Sequence, residues 1–304
     1  KRIDVLSMSH YHDDHILRMA EVAYALGKDH GMRRSAIWCH RVLHDVLTRP
    51  WAYRLPCLIP TALPIDRVME DGWFRWRGID MGLFHMPGQT WWHAGLIVRI
   101  DGRTMAFTGD DIWTRADPAR PLTGPVIARN RYLPGSGHGL IAELLMAQGV
   151  DMICPAHGEP FTVTREDWRG YGLWAAEVDR SIEALAGHRR LGVDPWWTRV
   201  DPFHIRPGRE DEVTVAVVVD SPFDEVRQVS VEVVCPEDVW APSGPGPVVR
   251  RIAPGETGRF EFGLRLKEGT SAGWGGGRPL TARIGVDGCW WGPLCEGMVF
   301  AGGK

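Results

Sequence analysis

The chain opens with a short apolar run, Ile3 to Met8, that predicts a strand, and polar residues follow at once. From His15 to Leu26 the apolar positions Ile16, Met19, Ala20, Ala23 and Leu26 recur at helical spacing and stop at Gly27, which predicts an amphipathic helix. Ala36 to Trp38 reads as a strand and Arg41 to Leu47 as a short helix. Ile65 to Gln89 reads as strands broken by Gly72, Gly78 and Gly82, and Ile97 to Phe107 as a hairpin turning at Asp101-Gly102. Val150 to Ile153 is another short strand. Leu140 to Ala147 and Arg165 to Leu185 are amphipathic helices, the second turning Trp168, Trp174, Ala175 and Val178 toward a core.

The period changes near residue 187. Gly187 to Glu210 is rich in Pro, Arg and Gly and reads as a packed linker. Beyond it apolar residues alternate: Val213, Val215, Val217 and Val219, then Val229, Val231 and Val233, then Phe260, Phe262, Leu264 and Leu266, then Leu280, Ala282, Ile284 and Val286. Turns such as Ala253-Pro254-Gly255-Glu256-Thr257 separate them. This pattern predicts an immunoglobulin-like β-sandwich over 211–304, joined by a linker at 188–210 to an α/β domain over 1–187.

Composition narrows the class. At 304 residues with 44% hydrophobic and 24% charged positions, the chain is an ordinary globular sequence. A formal charge of −3 argues against a nucleic-acid groove. No apolar run approaches the roughly 20 residues that span a bilayer, and a cytoplasmic location is expected. The six cysteines are scattered, with no C-x-x-C pair.

The chemistry concentrates right after the first strand, in Ser9-His10-Tyr11-His12-Asp13-Asp14-His15, a dense cluster for a chain with 12 His. On an extended segment, residues two apart share a face, so His10 and His12 can grip one cation. A bend after His12 turns Asp14 and His15 toward a second. Imidazoles with carboxylates suit Zn²⁺, with Mn²⁺ or Fe²⁺ as alternatives, in one or two copies. Thr108-Gly109-Asp110-Asp111 ends another strand in a tight turn, where an Asp can bridge two metals. Cys154-Pro155-Ala156-His157-Gly158 offers one more imidazole at a strand end, and His85-Met86-Pro87-Gly88-Gln89-Thr90-Trp91-Trp92-His93 lies between. His40 and His44 stand one helical turn apart, but nothing beside them completes a site, so packing or surface roles are expected.

With H-x-H-x-D-H, the P-G-x-T turn, the G-D turn and the late H-G, residues 1–190 resemble the metallo-β-lactamase superfamily of binuclear metallohydrolases. The resemblance implies an αββα sandwich in which His10 and His12 bind one metal, Asp14, His15 and His157 bind the other, and Asp110 bridges them. It implies a metal-held hydroxide as nucleophile, with Asp14 orienting it and moving protons. The implied activity is cleavage of an ester, lactone, thioester or amide in a small-molecule substrate, and β-lactamase activity itself is not expected.

Two departures stand out. Most members carry His where this chain has Gln89. An amide oxygen is a poorer, neutral donor, so the first metal should be held more weakly unless His93, His85 or Gln89 itself completes its ligands; His93 is the expected replacement. The H-x-H-x-D-H loop also normally follows some strand hairpins, whereas here nine residues precede His10. The expectation is that the N-terminal strands are supplied by a second polypeptide, either a cleaved piece of the same precursor or a subunit.

The stretch from Asp111 to Gly139 carries Trp113, Arg129, Arg131, Tyr132 and His138 between two metal ligands and is expected to wall the substrate. Gln89, Trp92, Arg131 and Tyr132 are the expected substrate contacts. Alternative readings are a non-haem iron oxygenase acting on a sulfur compound on the same fold, and a non-catalytic, metal-stabilised binding subunit.

Overall fold

The computed structural model describes residues 3–28, 31, 33–113, 121–126, 137–186, 195–206, 212–235, 240–242, 244, 246–266 and 277–300. Two compact units emerge, one formed by 1–50 with 55–193 and the other by 51–54 with 194–304.

The first unit is α/β. β1 (Val5–Ser7) is followed by α1 (Asp13–Ile16), α2 (Met19–Lys28), β2 (Ala36–His40), α3 (Arg41–Thr48) and β3 (Arg67–Met69). The three strands form a parallel sheet in the order β1-β2-β3. Ile37 and Cys39 of β2 and Leu43, Val46 and Leu47 of α3 are fully buried or nearly so, which is why the apolar face of α3 closes against this sheet. His40 caps α3, its Nδ1 accepting the Val42 N–H at 3.2 Å.

A second sheet runs in chain order through β4 (Gly72–Trp76), β5 (Ile79–His85), β6 (Ala94–Ile100), β7 (Arg103–Gly109), β8 (Met152–Pro155) and β9 (Phe161–Thr162). All neighbours are antiparallel except β7 and β8, which run parallel. The β6–β7 hairpin turns at Asp101 and Gly102 with φ of 50° and 74°, the two left-handed residues of the tight turn that their sequence predicts. Gly82, expected to break a strand, lies inside β5. A Cβ there would come within 2.5 Å of the Phe84 ring, so its hydrogen side chain makes room for Phe84 and Trp73. On one face of this sheet Ile97, Ala106 and Ile153 pack with Ile141, Ala142 and Leu145 of α4 (His138–Ala147) and Trp168 and Tyr171 of α5 (Arg165–Ala186).

The second unit is a two-sheet β-sandwich. One sheet orders β10 (Thr198–Asp201), β12 (Glu212–Asp220), β16 (Thr257–Leu266) and β14 (Trp240–Pro242). The other orders β11 (His204–Ile205), β18 (Cys289–Val299), β17 (Arg278–Val286), β13 (Arg227–Val234) and β15 (Val248–Ile252). The alternating residues Val215, Val217, Val219, Val229, Val231, Phe260, Leu264, Ala282 and Ile284 meet in one core. β10 and β11 fall within the stretch read as a packed linker, and their Val200 and Ile205 are buried in this core.

Candidate metal centre

Strand direction brings the candidate ligands together. β7 and β8 run parallel and end in register at Gly109 and Pro155, so Asp110 and His157 emerge from the same sheet edge. β6 runs opposite to β7, which puts the connection 86–93 at that edge too. β1 is tied there by the Ala94 N–H to Ser9 carbonyl bond of 2.7 Å and by the bridge between His10 and His93. His12 is extended, with φ −61° and ψ 149°, and α1 starts immediately after it. That change of conformation lets Asp14 and His15 follow on a helical turn, with the His15 ring 4.1 Å from that of His10 between centres.

Two groups of side chains result, each with ligand atoms within 4.8 Å of one another: His10, His12 and Asp110, and Asp14, His15, Asp110 and His157. Asp110 belongs to both. Its Oδ2 lies 3.8 Å from His10 Nε2, and its Oδ1 lies 3.3 Å from His15 Nε2 and 3.5 Å from His157 Nε2. Asp14 Oδ2 is 3.4 Å from His15 Nε2 and 3.2 Å from His157 Nε2. The first group is wholly buried, whereas the side chains of Asp14 and His157 are 51% and 53% exposed.

The electrostatics suit a cation. Burial, reinforced by the neighbouring imidazoles of His93, His15, His12 and His157, drives the pKa of His10 far below its ordinary value. Burial likewise lowers that of His12, against the pull of Asp110 and Asp14. Burial works against charge on His15 and on Asp110, but their mutual attraction overcomes it, raising His15 and lowering Asp110, the latter aided by Gln89 and His157. The Nε2 atoms of His10, His12 and His15 and Oδ1 of Asp110 are buried with no hydrogen bond among the described residues. Buried polar atoms left this way are costly unless a further partner takes them up, and neutral imidazoles beside carboxylates are what a divalent ion requires. The residues present fit Zn²⁺, Mn²⁺ or Fe²⁺.

Gln89 and His93 differ in fate. Gln89 is 5% exposed and donates its side-chain amide to Asp110 Oδ2 at 3.0 Å, while its backbone N–H goes to Asp111 Oδ1 at 2.7 Å. His93, the expected replacement ligand, stands outside both groups: it stacks on His10 with ring centres 4.9 Å apart, and its Nδ1 lies 3.0 Å from Asp111 Oδ2. His85 is engaged elsewhere, its Nε2 2.7 Å from the Trp91 carbonyl. Trp92, expected to contact substrate, is instead 5% exposed and packs edge-on against Tyr11 at 6.2 Å, because the strand it precedes turns that indole inward. Arg129, Arg131 and Tyr132 lie outside the described residues.

Asp111 is the functional neighbour that sequence reading missed; its only signal is being the second Asp after Gly109. Trp113, 47% exposed, stands 6.4 Å from His157 between ring centres. His138 is not at the mouth: it is buried, with Nδ1 2.7 Å from Tyr171 Oη and Nε2 3.0 Å from the Pro125 carbonyl.

No protein-family model matches the chain, and no curated protein matches it in sequence. Among solved structures, it is similar to metallo-β-lactamase MIM-1 from Novosphingobium pentaromativorans, at 15% identity and a TM-score of 0.40, over 61% of this chain and 71% of that one. It is also similar to a Cronobacter sakazakii metallo-β-lactamase with a HARLDQ motif, at 15% identity and a TM-score of 0.39, over 60% and 73% of the two chains. A third is a B3 metallo-β-lactamase with an active-site glutamic acid, at 17% identity and a TM-score of 0.39, over 59% and 71%.

Proposed function

We propose that this chain is a metal-dependent hydrolase whose substrate carries an ester, lactone, thioester or amide bond. The observation that supports this most is the shared carboxylate: Asp110 joins one group of buried imidazoles to a second group that is half open to solvent. A protein using metal only for stability has no need of the open side, where Asp14 and His157 leave room for a substrate.

A divalent ion bound there supplies Lewis acidity and a water of lowered pKa. The remaining steps belong to the chain. Asp110, buried, fixes the geometry and keeps its negative charge. Asp14 is a carboxylate with one side toward the other ligands and one toward solvent. It is therefore placed to orient an attacking water, take its proton and pass that proton to the leaving group. His10 and His12 stay neutral through burial and keep their nitrogen lone pairs available.

The oxygenase reading needs a third protein donor where this chain has Gln89, whose amide is turned to Asp110. His93, stacked on His10 with its Nε2 buried and unbonded among the described residues, is the other candidate for that place. Turnover of an ester, lactone and thioester panel tests the hydrolase reading. Asp14→Asn should lower kcat by roughly 10²–10⁴-fold with little change in KM. A metal-loaded protein that turns over no member of the panel contradicts the proposal.

A further inference from the structure

We propose that the outer face of the five-stranded sheet in the second unit binds an uncharged, flat-ribbon polysaccharide, with the Trp290 indole as its stacking platform and Arg283 and Glu232 as partners for its hydroxyls. The site lies outside the metal centre and does not rest on the hydrolase reading.

A sandwich strand alternates between core and solvent, and Val229, Val231, Ile284 and Val286 take the core side of β13 and β17. Their neighbours Ser230, Glu232, Arg283 and Gly285 therefore face outward. Trp290 joins them, standing opposite Gly285 in the β17–β18 pairing. The register slips between Ile284 and Gly285, which leaves Trp291 as the extra residue on β18. That bulge sends two successive indoles apart. Trp291 turns to Trp197 and Phe223, at 5.9 and 6.2 Å between ring centres. Trp290 lies over Gly285, where a Cβ would come within 3.2 Å of Cε3 and 3.4 Å of Cδ2 of the indole. One face of the ring rests on the glycine, and with Trp290 50% exposed the other is open to solvent.

Cross-strand pairing arranges the surroundings in rows. Val249, Ser230, Gly285 and Trp290 form one row across β15, β13, β17 and β18. It is about 14 Å long at the usual strand spacing. On one side lies the row of Glu232, Arg283 and Pro293, with Glu232 Oε2 3.3 Å from Arg283 Nη1. On the other side Gln228 pairs with Arg251, and Arg227 reaches Asp287 at 3.0 Å. The apolar row is thus one residue deep between two charged ones. A stable protein interface needs roughly 800 Å² per partner around an apolar core, which so narrow a strip does not supply. A sugar chain needs only a strip. A pyranose ring offers an apolar C–H face to an aromatic platform and carries hydroxyls at its rim, to which Arg283 can donate and from which Glu232 can accept. Because Arg283 is matched by Glu232 and Arg227 by Asp287, the face favours an uncharged ligand. Equatorial linkages keep successive rings in one plane, which suits a flat sheet face.

The test is affinity electrophoresis of the full, chelator-treated chain in native gels cast with mixed-linkage β-glucan, hydroxyethyl cellulose or galactomannan, against gels without polymer. At least one polymer should retard the native chain. Trp290→Ala should weaken that binding about 2- to 12-fold, the worth of one aromatic contact, and Trp290→Phe should keep most of it. Because Trp290→Ala bares Gly285, Arg283→Gln, at a side chain 55% exposed, serves as a variant that leaves the core untouched and should also weaken binding. No retardation by any of the three polymers overturns the proposal, as does retardation that Trp290→Ala and Arg283→Gln both leave unchanged. A second copy seated on this face would show in sedimentation as a dimer that Trp290→Ala disperses, and that result overturns the proposal too. The binding is read without metal, so none of these outcomes touches the hydrolase reading.

Discussion

Asp111 holds both ends of the segment that carries Gln89: its Oδ1 accepts the Gln89 N–H at 2.7 Å, and its Oδ2 lies 3.0 Å from His93 Nδ1. Both the carboxylate and the His93 side chain are fully buried. A one-residue shift of this carboxylate would therefore move the amide that touches Asp110. Asp111→Ala leaves the Gln89 N–H buried without its acceptor and should cost about 1–3 kcal/mol in urea unfolding. Asp111→Asn keeps an acceptor oxygen for that N–H and should cost less.

Gly109 is required by both backbone and space. Its φ is +53°, and a Cβ there would lie 2.4 Å from Ser9 Oγ and 2.8 Å from His93 Nε2. Gly109→Ala should therefore destabilise the fold by at least the roughly 1–2 kcal/mol of a left-handed non-glycine residue, with the crowding adding to it. Since Asp110 is the next residue, Zn²⁺ retention should fall as well. A variant as stable as the native chain, with unchanged retention, would show that the turn tolerates a side chain.

Stability should depend on pH through His40. Burial lowers its pKa from 6.5 despite the Asp71 carboxylate 3.2 Å away, and the nearby His85 works in the same direction as burial. A folded-state pKa below the unfolded value means the unfolded chain takes up the proton first as pH falls. The contribution is thus complete above about pH 6.5 and lost progressively below it. Protonation would also remove the Nδ1 lone pair that caps α3. The urea midpoint of native protein should fall between pH 7 and pH 5. His40→Asn, which keeps a capping acceptor and cannot titrate there, should show a shallower fall.

Trp113 offers an exposed indole beside His157 at the open side of the centre. Aromatic contacts are worth about 0.5–1.5 kcal/mol, so Trp113→Ala should raise KM about 2- to 12-fold for substrates with an apolar or aromatic group next to the scissile bond. Metal retention should not change. Equal KM values for native and variant across such substrates would remove Trp113 from the binding surface.

Much of the fold is legible in the sequence pattern. The ligand candidates sit where periodic segments end, so their elements could be placed from pattern alone: the Asp101-Gly102 turn fixes the β6–β7 register, and that register carries Asp110 to the correct edge. What sequence pattern could not supply was direction within the site. His93 and Gln89 are four residues apart on one connection, and whether either turns toward His10 depends on Asp111, a partner 18 to 22 residues away that anchors both. The inward turn of Trp92 onto Tyr11 is likewise a matter of packing between distant segments. The strands β10 and β11 were hidden because their Pro- and Arg-rich surroundings masked two short alternations, with Val200 and Ile205 as the buried positions.

Metal dependence of hydrolysis is tested by the hydrolysis rate of the ester, lactone and thioester panel for protein stripped with a chelator and then reloaded with Zn²⁺, measured beside Asp110→Ala treated in the same way. Turnover should disappear on stripping and return on reloading in the native chain, and should never return in Asp110→Ala. Turnover that survives complete removal of metal, or that Asp110→Ala recovers in full, would contradict metal-dependent hydrolysis at this centre.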